Sequence, residues 1–523
     1  MKTYRSLTIG FLATLSTLGY NLNAQNLADG LRFSQTHNNG TARFVSMGGA
    51  FGALGADFSS IAVNPAGVGV YKSGEFTITP SFKTQKVSST FLGVSASDNK
   101  NRINLDNLGF VMSFKPYKSE DKGILAYNLS FGYNRTNDYH SNAITLGDYN
   151  NYSIMDYFSA ITNGNKYTPS QLEPTTNYNP FNTLGGGAWE SIMARNTRLL
   201  YKYDSRTGTY EPAIYLQDSV KYKNISTTEG GSGEFTTAFG VNISNKLYLG
   251  ASLGITDFNY TFNSTYSEDA KESNPSRPNG DRFYYMDYKQ YVETKGSGFN
   301  LKIGGIYTPI PEVRIGLSFH TPTFYSFDDA FSSSIITNFD TTGTEVIFQS
   351  NSPLGRYDYH FETPMKITGS VAIIIMQKGL VSIDIEHLDY STMRFRRGGD
   401  GDTFWDLNSQ MGNTFKSVTN LRFGGEYKIG DIALRGGYAY YPSPYKSGFL
   451  NDKSKIQQIS GGIGYRTGNV SIDFAYLRTL QDVKYVFYDL NIPSVTNKVR
   501  VNIPSVTNKV RDSRVLLTFG FRF

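Results

Sequence analysis

The sequence predicts an all-β fold: a transmembrane antiparallel β-barrel of about fourteen strands with an N-terminal hatch, or plug, inside its lumen. The last ten residues alternate between an apolar and a mostly polar face and stop on an aromatic residue, Phe523. The same period-2 alternation recurs along the chain, as in a sheet with one face in lipid and one toward a polar lumen. After the N-terminal 24 residues, no run approaches the ~20 apolar residues that a spanning helix needs.

The N-terminus has the features of a secretory signal peptide. Lys2 and Arg5 provide positive charge, residues 6–18 are apolar, and residues 22–24 form a cleavage site before Gln25. The chain contains no Cys, so it offers neither disulfides nor the thiol that anchors a lipoprotein. We expect residues 1–24 to direct export, followed by a barrel in the cell outer membrane.

Composition supports the barrel and excludes one class of partner. The 523 residues include 38 Tyr, 36 Phe and 52 Gly. Membrane barrels use aromatic residues at the two interfaces and Gly where strands curve. The formal net charge of +6 is small for this length, which argues against nucleic-acid binding.

Residues 25–73 precede the first predicted strand and form the predicted hatch. They combine Gly and Ala with apolar residues such as Phe33, Phe44, Phe51 and Phe58. They lack the alternation of lipid-facing strands, so we expect them to bury themselves inside the barrel formed by residues 74–523.

Fourteen segments show the alternation of a membrane strand. Most are ~9 to 11 residues long, the length that a tilted strand needs to cross the hydrocarbon. The segments are 75–83, 105–114, 124–135, 234–243, 247–258, 297–307, 313–320, 364–375, 380–390, 419–429, 432–441, 458–466, 469–477 and 514–523.

The connections alternate between short and long, as expected for periplasmic turns and extracellular loops. The longest, residues 136–233, contains helix-like stretches at Tyr157–Asn163 and Ala188–Leu200. Residues 491–500 recur unchanged as residues 502–511, and an odd period of eleven favours a connection over a strand. We assign the duplication no function.

Charged residues occur on the predicted lumen face with both signs. This mixture favours charges that pair with one another or with a plug over a pore selective for one ion sign, and solvated lumen charge is the alternative. The candidate lumen charges are Arg314, Asp384, Glu386, Arg422, Glu426 and Arg435.

Several motifs resemble the outer-membrane long-chain fatty-acid and hydrocarbon transporters of the FadL/TodX family. Near the N-terminus these are Met47-Gly48-Gly49-Ala50-Phe51, Asp57, and Asn64-Pro65-Ala66-Gly67. Residues 421–427, 434–438 and 442–444 resemble the family's late strand pair and the loop after it, and Tyr307 with residues 313–318 also fits. The resemblance implies a fourteen-stranded barrel whose hatch carries Gly48, Gly49, Asp57, Asn64, Pro65, Ala66 and Gly67.

The resemblance further implies passive uptake of a hydrophobic small molecule, released sideways through a gap beside a kinked third strand. Gly132 is the candidate for that kink. The expected partners are the ligand, outer-membrane lipid with lipopolysaccharide, and the barrel-assembly machinery, which would engage the C-terminal Phe519, Phe521 and Phe523. A monomer without a cofactor is expected.

Two other functions remain open: a polar-solute porin with an ordered plug, and a surface adhesion or structural protein. An enzyme is not expected. The Gly-x-Ser-x-Gly spacing at residues 250–254 lies inside an alternating strand, whereas a nucleophile elbow joins a strand to a helix. Asp400, Asp402 and Asp406 lack the EF-hand pattern, and no ligand spacing indicates a metal.

Overall fold

The structure is a computed structural model. It describes residues 27–37, 39–116, 122–214, 218–272, 274, 276, 281–376, 378–397, 404–488 and 504–523. The predicted signal peptide lies outside the described residues, as do Asp400, Asp402 and the first copy of the duplicated segment.

Twenty-one strands are formed by the described residues, and nineteen of them make one antiparallel sheet. The strands are β1 Glu75–Phe91, β2 Val94–Phe114, β3 Ile124–Asp138, β4 Ser141–Asn150, β5 Leu200–Asp204, β6 Thr209–Pro212, β7 Val220–Ile243, β8 Leu247–Ala270, β9 Arg282–Ile310, β10 Val313–His320, β11 Phe324–Thr341, β12 Thr344–Asn351, β13 Gly355–Glu362, β14 Lys366–Ile375, β15 Gly379–Asp389, β16 Arg394–Arg397, β17 Ser417–Ile429, β18 Ile432–Tyr441, β19 Ile456–Thr467, β20 Val470–Tyr485 and β21 Val506–Arg522.

The large sheet closes into a barrel because β1 pairs with β2 on one side and with β21 on the other. Several wall strands are built from successive pieces. β3 and β4 both pair with β7, and β10 and β11 both pair with β9. Each of these two pairs forms one wall strand, and so do the pair β15 and β16 and the group β12, β13 and β14. The nineteen strands of the sheet therefore make a closed wall of fourteen, and the predicted barrel is confirmed.

The wall has an apolar outer face and a polar inner face. Leu317 is 63 % exposed and Phe235 is 57 % exposed, whereas inward-facing residues such as Ser318 and Asn420 are buried. In β21, Val515 and Phe521 face outward, while Arg514 faces inward and is buried. An apolar exterior around a closed barrel is the arrangement of a membrane barrel.

Wall strands extend well beyond the fourteen predicted segments. β7 and β8 each have 24 residues and β9 has 29, and they continue through regions predicted as long loops. Much of residues 136–233 is likewise strand rather than loop. In the upper part of β8 the pattern reverses, because outward residues such as Asp257 and Asn259 are polar while the inward Phe258 and Tyr260 are buried aromatics. The apolar outward face that marked the membrane segments therefore ends there.

The helices lie in three regions. The N-terminal segment contains α1 Leu27–Ser34, α2 Ala42–Ser46 and 3₁₀ turns at Phe58–Ala62 and Pro65–Val70. The connection between β4 and β7 contains α3 Ile154–Gly164, α4 Pro169–Leu172, α5 Pro180–Thr183, a 3₁₀ turn at Gly186–Ala188 and α6 Trp189–Asn196. A 3₁₀ turn at Tyr390–Thr392 and α7 Trp405–Thr414 lie near β16. None of the described helices is long and apolar enough to cross a membrane.

Residues 151–214 form a cap over the extended upper strands. Phe158 of α3 and Ile192 of α6 are fully buried and belong to one cluster with Tyr288 of β9 and Phe339 of β11. At the start of α3, the buried Glu268 carboxylate of β8 accepts hydrogen bonds from the Ile154 N–H at 2.7 Å and the Ser153 hydroxyl at 2.5 Å. This carboxylate joins the cap to the wall.

The position of the duplicated segment differs from the prediction. β21 begins at Val506, so the last six residues of the second copy, residues 506–511, are part of a strand. They pair with β1 and β20, for example Val510 with Val87 and Gln481. Their side chains lack the apolar alternation of the membrane part of β21, so the strand start could not be read from the sequence.

Candidate functional site

Residues 39–71 lie inside the barrel, and the wall is shaped to receive them. Gly48 and Gly49 have φ values of 63° and 72°, a conformation that favours glycine. A Cβ at Gly48 would lie 2.8 Å from the carbonyl oxygen of Phe423 in β17 and 2.9 Å from the nitrogen of Tyr438 in β18. The Gly-Gly pair therefore allows this backbone to press directly against the wall.

Asp57 and Asn64 organise the two 3₁₀ turns of this segment. The Asp57 carboxylate accepts hydrogen bonds from the Thr41 hydroxyl at 2.8 Å and the Ser59 N–H at 2.9 Å. Asn64 accepts from the Ala66 N–H at 3.0 Å and donates to the carbonyl of Gly52 at 2.7 Å and of Gly305 in β9 at 3.2 Å. Asn64 thus caps a turn and ties it to the wall.

Pro65, Ala66 and Gly67 are buried in the second turn. Pro65 occupies its first position, where a missing N–H costs nothing. The backbone at Pro65 and Ala66 packs against Gly250 of β8, and Gly67 packs against Gly55 and Ser60. These residues serve close packing inside the lumen.

Asp384 and Glu386 of β15 meet Arg422 of β17 in a buried cluster. Asp384 accepts hydrogen bonds from the backbone N–H groups of Phe51 at 3.1 Å and of Gly52. The Arg422 guanidinium lies 3.8 Å from Asp384 and 3.3 Å from Glu386, and it is almost fully buried. The predicted lumen charges here contact one another and the N-terminal segment.

A second charged cluster lies toward the periplasmic end. Glu426 lies 2.7 Å from Arg435 and 3.2 Å from Arg43 of α2, and Arg435 also contacts Asp473 of β20 at 2.6 Å. Arg314 donates a hydrogen bond to the carbonyl of Leu54 at 2.8 Å. Arg43 was missed by the sequence reasoning because nothing in the N-terminal segment distinguishes an inward cation from a solvated one.

Gly132 of β3 faces the lumen opposite Gly109 of β2, and the ring of Phe58 packs against both. Phe58 is fully buried. A side chain at either glycine would occupy the position of this ring. Gly132, the predicted kink residue, therefore leaves space for the Phe58 side chain of the N-terminal segment. It lies in a stretch where β2 and β3 pair without a register shift.

The wall irregularity lies just above Gly132. β2 and β3 pair from Phe114 with Tyr127 up to Asn107 with Asn134, and pairing ends there. At this level β2 and β3 each contain one extra residue. The register between β1 and β2 shifts between Thr79 and Pro80, which leaves Asp106 of β2 as an extra residue. The register between β3 and β7 shifts between Arg135 and Asn137, which leaves Thr136 of β3 as an extra residue.

We call the unpaired boundary above Asn107 and Asn134 the β2–β3 seam. At its lower end, the Arg135 guanidinium lies 3.7 Å from the Asp106 carboxylate and 3.4 Å from the carbonyl of Leu105. Above this level β2 pairs with β1, while β3 and β4 pair with β7. The seam is thus bounded by two bulged strands and crossed by an ion pair.

The N-terminal segment is bonded to this bulge. Asn39 donates from its side chain to the carbonyl of Thr136 at 3.1 Å, and Asn137 donates to the carbonyl of Gln35 at 2.7 Å. Arg514 of β21 holds Asn39 in turn at 2.8 Å. Gln35 and Asn39 are thus each hydrogen-bonded to the strand that borders the seam.

A large cavity of about 930 Å³ lies between the cap and α1, and we call it the outer cavity. Its aromatic wall includes Tyr139, Tyr157, Tyr260, Tyr266, Tyr288, Tyr485 and Tyr488. Below α1, a small cavity of about 70 Å³ is lined by Phe33, Thr36, Thr136 and Lys366 among others. Because Arg32 lines the first cavity and Phe33 the second, α1 separates the two.

The outer cavity contains one carboxylate from the cap. Glu190 of α6 accepts hydrogen bonds from the hydroxyls of Tyr157 at 2.9 Å and Tyr288 at 2.5 Å. Burial raises the pKa of Glu190 above its ordinary value, and the two tyrosines oppose that shift. The tyrosine lining gave no sequence signal, because its seven members come from five separate segments of a Tyr-rich chain.

The C-terminal aromatics lie where the barrel closes. Phe523 and Gly74 exchange backbone hydrogen bonds at 3.0 and 3.1 Å, and Phe521 pairs with Phe76 of β1. Phe519 pairs with Ile78. Ser252, the serine of the elbow-like spacing, lies inside β8 opposite Ala238 and Lys302.

The fold is shared by proteins of known structure. The toluene transporter TodX from P. putida superposes with a TM-score of 0.50 at 12 % identity, covering 93 % of this chain and 99 % of that one. A FadL homologue from Pseudomonas aeruginosa gives a TM-score of 0.51 at 12 % identity, covering 94 % and 100 %. No family model matches the sequence, and no curated protein matches it either.

The predicted resemblance to FadL/TodX proteins is therefore confirmed for the fold. The closed fourteen-stranded barrel with its apolar exterior is an outer-membrane, multi-pass β-barrel.

Proposed function

We propose that this protein is a passive outer-membrane channel that takes up hydrophobic compounds, such as long-chain fatty acids or similar molecules, and releases them sideways into the membrane. The observation that carries the proposal is the hydrogen bonding of the lumen-filling segment to the bulge at Thr136, next to the unpaired β2–β3 seam.

The lumen-filling segment, residues 39–71, would act as the hatch. Its contacts with Asp384, Arg314 and Glu426 attach it to separate parts of the wall. A barrel filled in this way favours selective passage over free diffusion of polar solutes. The fold shared with TodX, a toluene transporter, and with a FadL homologue supports the same class of cargo.

The route would run from the outer cavity past α1 to the seam. The two cavities lie on either side of α1, and the lower one is lined by Thr136 at the seam. Exit through the seam would deliver an apolar molecule directly into lipid, which avoids exposing its surface to periplasmic water. Outer-membrane lipid and lipopolysaccharide would surround the barrel, the assembly machinery would engage its C-terminus, and one chain would suffice.

Uptake measurements with the gene deleted and restored test this function. Accumulation of radiolabelled oleate or toluene should fall on deletion and recover on complementation, while passage of a small hydrophilic sugar stays unchanged. The purified barrel should show no large steady conductance in planar bilayers. A large steady conductance would identify a porin, and normal uptake with lost surface attachment would identify an adhesin.

A further inference from the structure

The outward face of β1, β21 and β20 changes from apolar to basic on the cap side of the membrane band. The last largely apolar row on these strands consists of Phe82, Val515 and Tyr476, which lie side by side and are exposed. Above this row, the outward charged side chains on the described parts of the three strands are five cations and one acid, which we call the basic patch: Lys86, Arg478, Lys484, Lys509, Arg511 and Asp482.

The strand register brings the cations of the basic patch together. Lys86 of β1 lies directly opposite Arg511 of β21, and Lys509 is the next outward residue along β21. Like charges at directly opposite positions destabilise a sheet, so an anion between Lys86 and Arg511 is favoured. Among the described residues, Arg511 is the one cation of the patch with an ion-pair partner, Asp482 at 2.8 Å. The patch therefore keeps a positive excess on its outer surface.

This excess is confined to one side of the barrel. On β8, β9 and β11 the corresponding apolar row consists of Ile255, Phe299 and Phe324. The next three outward rows on those strands contain three acids and one cation: Asp257, Asp328, Glu293 and Lys295. Lys295 lies 2.8 Å from Glu293, so this second surface offers a paired cation among acids. The basic patch is thus a local feature of the strands at the barrel closure.

The position of the patch favours a lipid over a soluble anion. The apolar row directly below it is surrounded by acyl chains, so a lipid can lay its chains on this row while its headgroup meets the cations. Arg478 lies level with Ser513, and Lys509 is four residues further along β21, roughly 13 Å at ~3.3 Å per residue. This length exceeds the span of one phosphate group and suits a headgroup that carries two.

We infer that the basic patch binds one lipopolysaccharide molecule of the outer leaflet through the phosphate groups of its lipid A headgroup. The cations of β1, β20 and β21 neutralise the phosphates, and the apolar row packs against the acyl chains. The second copy of the duplicated segment supplies two of the five cations, Lys509 and Arg511. The duplication therefore adds positive charge at the level of the headgroups.

Binding of diphosphoryl lipid A to the purified full chain in detergent tests the inference. Native mass spectrometry counts the bound lipid and gives its affinity over a titration, with fully dephosphorylated lipid A as the uncharged comparison. One lipid A should bind per barrel, at least about tenfold more tightly than the dephosphorylated form, as expected from phosphates that meet several cations. Millimolar inorganic phosphate should not displace it. Displacement would identify a site for a free anion and overturn the inference.

The double variant Lys86→Gln/Lys509→Gln removes two cations without breaking an ion pair among the described residues. It should weaken lipid A binding at least about tenfold. Lys295→Gln, which removes an exposed cation from the second row above the apolar row on β9, is the matched control and should leave the affinity unchanged. Heat-modifiable migration establishes that each variant is folded. Unchanged affinity in the double variant, or equal binding of dephosphorylated lipid A, would overturn the inference, and neither result depends on the cargo of the channel.

Discussion

The backbone N–H of His37 donates a hydrogen bond to the carbonyl oxygen of Thr136 at 3.3 Å. His37 belongs to the segment that leads into the lumen, and Thr136 is the extra residue of the bulge in β3. This bond, with that from Asn39, connects the segment to the strand beside the seam. Under the proposed function, hatch movement and opening of the seam are one coupled event.

Deletion of Thr136 should reduce uptake of hydrophobic compounds to near the level of cells that lack the gene. The deletion removes the extra residue while Arg135 and Asn137 keep their partners Gly233 and Ser232 on β7. The straightened strand can then pair further along β2 and close the seam. Uptake of radiolabelled ligand by cells measures the effect, with Thr136→Ser, which keeps the bulge, as the control. Full uptake after the deletion would exclude the seam as the exit.

A disulfide between Gly52→Cys and Ser370→Cys should block uptake reversibly. A Cβ at Gly52 would lie 2.9 Å from the Ser370 Cβ, so a shift of about 1 Å reaches disulfide geometry. The native chain has no Cys, so no competing bridge forms. Uptake should be lost on oxidation and restored by a reductant, whereas each single variant should not respond. Uptake that persists in the oxidised double variant would show that this part of the hatch stays still.

Asp384→Ala should loosen the hatch and produce current bursts in planar bilayers. It removes the acceptor for the Phe51 and Gly52 N–H groups and deprives the buried Arg422 of one partner. Breaking a buried ion pair in this way costs about 3 to 5 kcal/mol. Asp358→Ala, on the exposed face of β13, is the control and should stay silent. If the Asp384→Ala channel shows no current bursts, the other contacts between the hatch and the wall are sufficient to hold the hatch in place.

The cap should become less stable as pH rises from about 4.5 to about 7. Burial raises the pKa of Glu268 to about 7 from its ordinary 4.5, although Ser153, Tyr266 and the Ile154 N–H stabilise the carboxylate. In that interval the folded cap holds a proton that the unfolded cap has released. The contribution of Glu268 to the free energy of unfolding of the cap is therefore largest below pH 4.5. It falls by up to about 3 kcal/mol between pH 4.5 and pH 7 and is constant above pH 7.

Digestion of the cap by proteinase K at several pH values measures this effect. Glu268→Gln keeps the shape without the titration, so the ratio of wild-type to variant cleavage rates cancels the pH profile of the protease. That ratio should rise between pH 5 and pH 7. A ratio independent of pH would show that Glu268 does not titrate in this range.

Phe523→Ala should lower the amount of folded barrel in the membrane without changing uptake per folded molecule. The residue closes the barrel through backbone bonds to Gly74 and packs its ring against Phe110 at 5.6 Å. Heat-modifiable migration measures the folded fraction. Tyr427→Ala, which removes an exposed aromatic from a strand distant from the closure, is the control. Equal folded fractions in the two variants would contradict a special role for the C-terminus.

The membrane part of the fold could be predicted because lipid imposes a strict alternation on each strand. All fourteen predicted segments overlap wall strands, and the inward position of Arg422 and Asp384 followed from parity alone. The upper halves of β8 and β9 could not be predicted in this way. Above the membrane the outward residues are polar and inward residues such as Phe258 and Tyr260 are buried in protein, so the apolar outward face that identified the membrane strands is absent.

The site was predictable only in part, because it depends on partners distant in the sequence. Gly132 was chosen as the kink because glycine tolerates one, yet the register shift lies at Thr136, an ordinary strand former. A bulge is defined by two strands together, and a single sequence does not give their register. Likewise, the hydrogen bond from Asn39 to Thr136 and the packing of Phe58 against Gly109 and Gly132 depend on contacts that local sequence patterns do not encode.

The 29 residues of β9 set how far the protein stands above the lipid. At about 3.3 Å per residue and a tilt near 40°, the strand rises roughly 70 Å, of which the hydrocarbon band takes about 25 Å. The wall therefore projects about 45 Å beyond the hydrocarbon band, into the sugar layer outside the membrane. A molecule arriving at the cap would have bypassed much of that hydrated layer before it was bound.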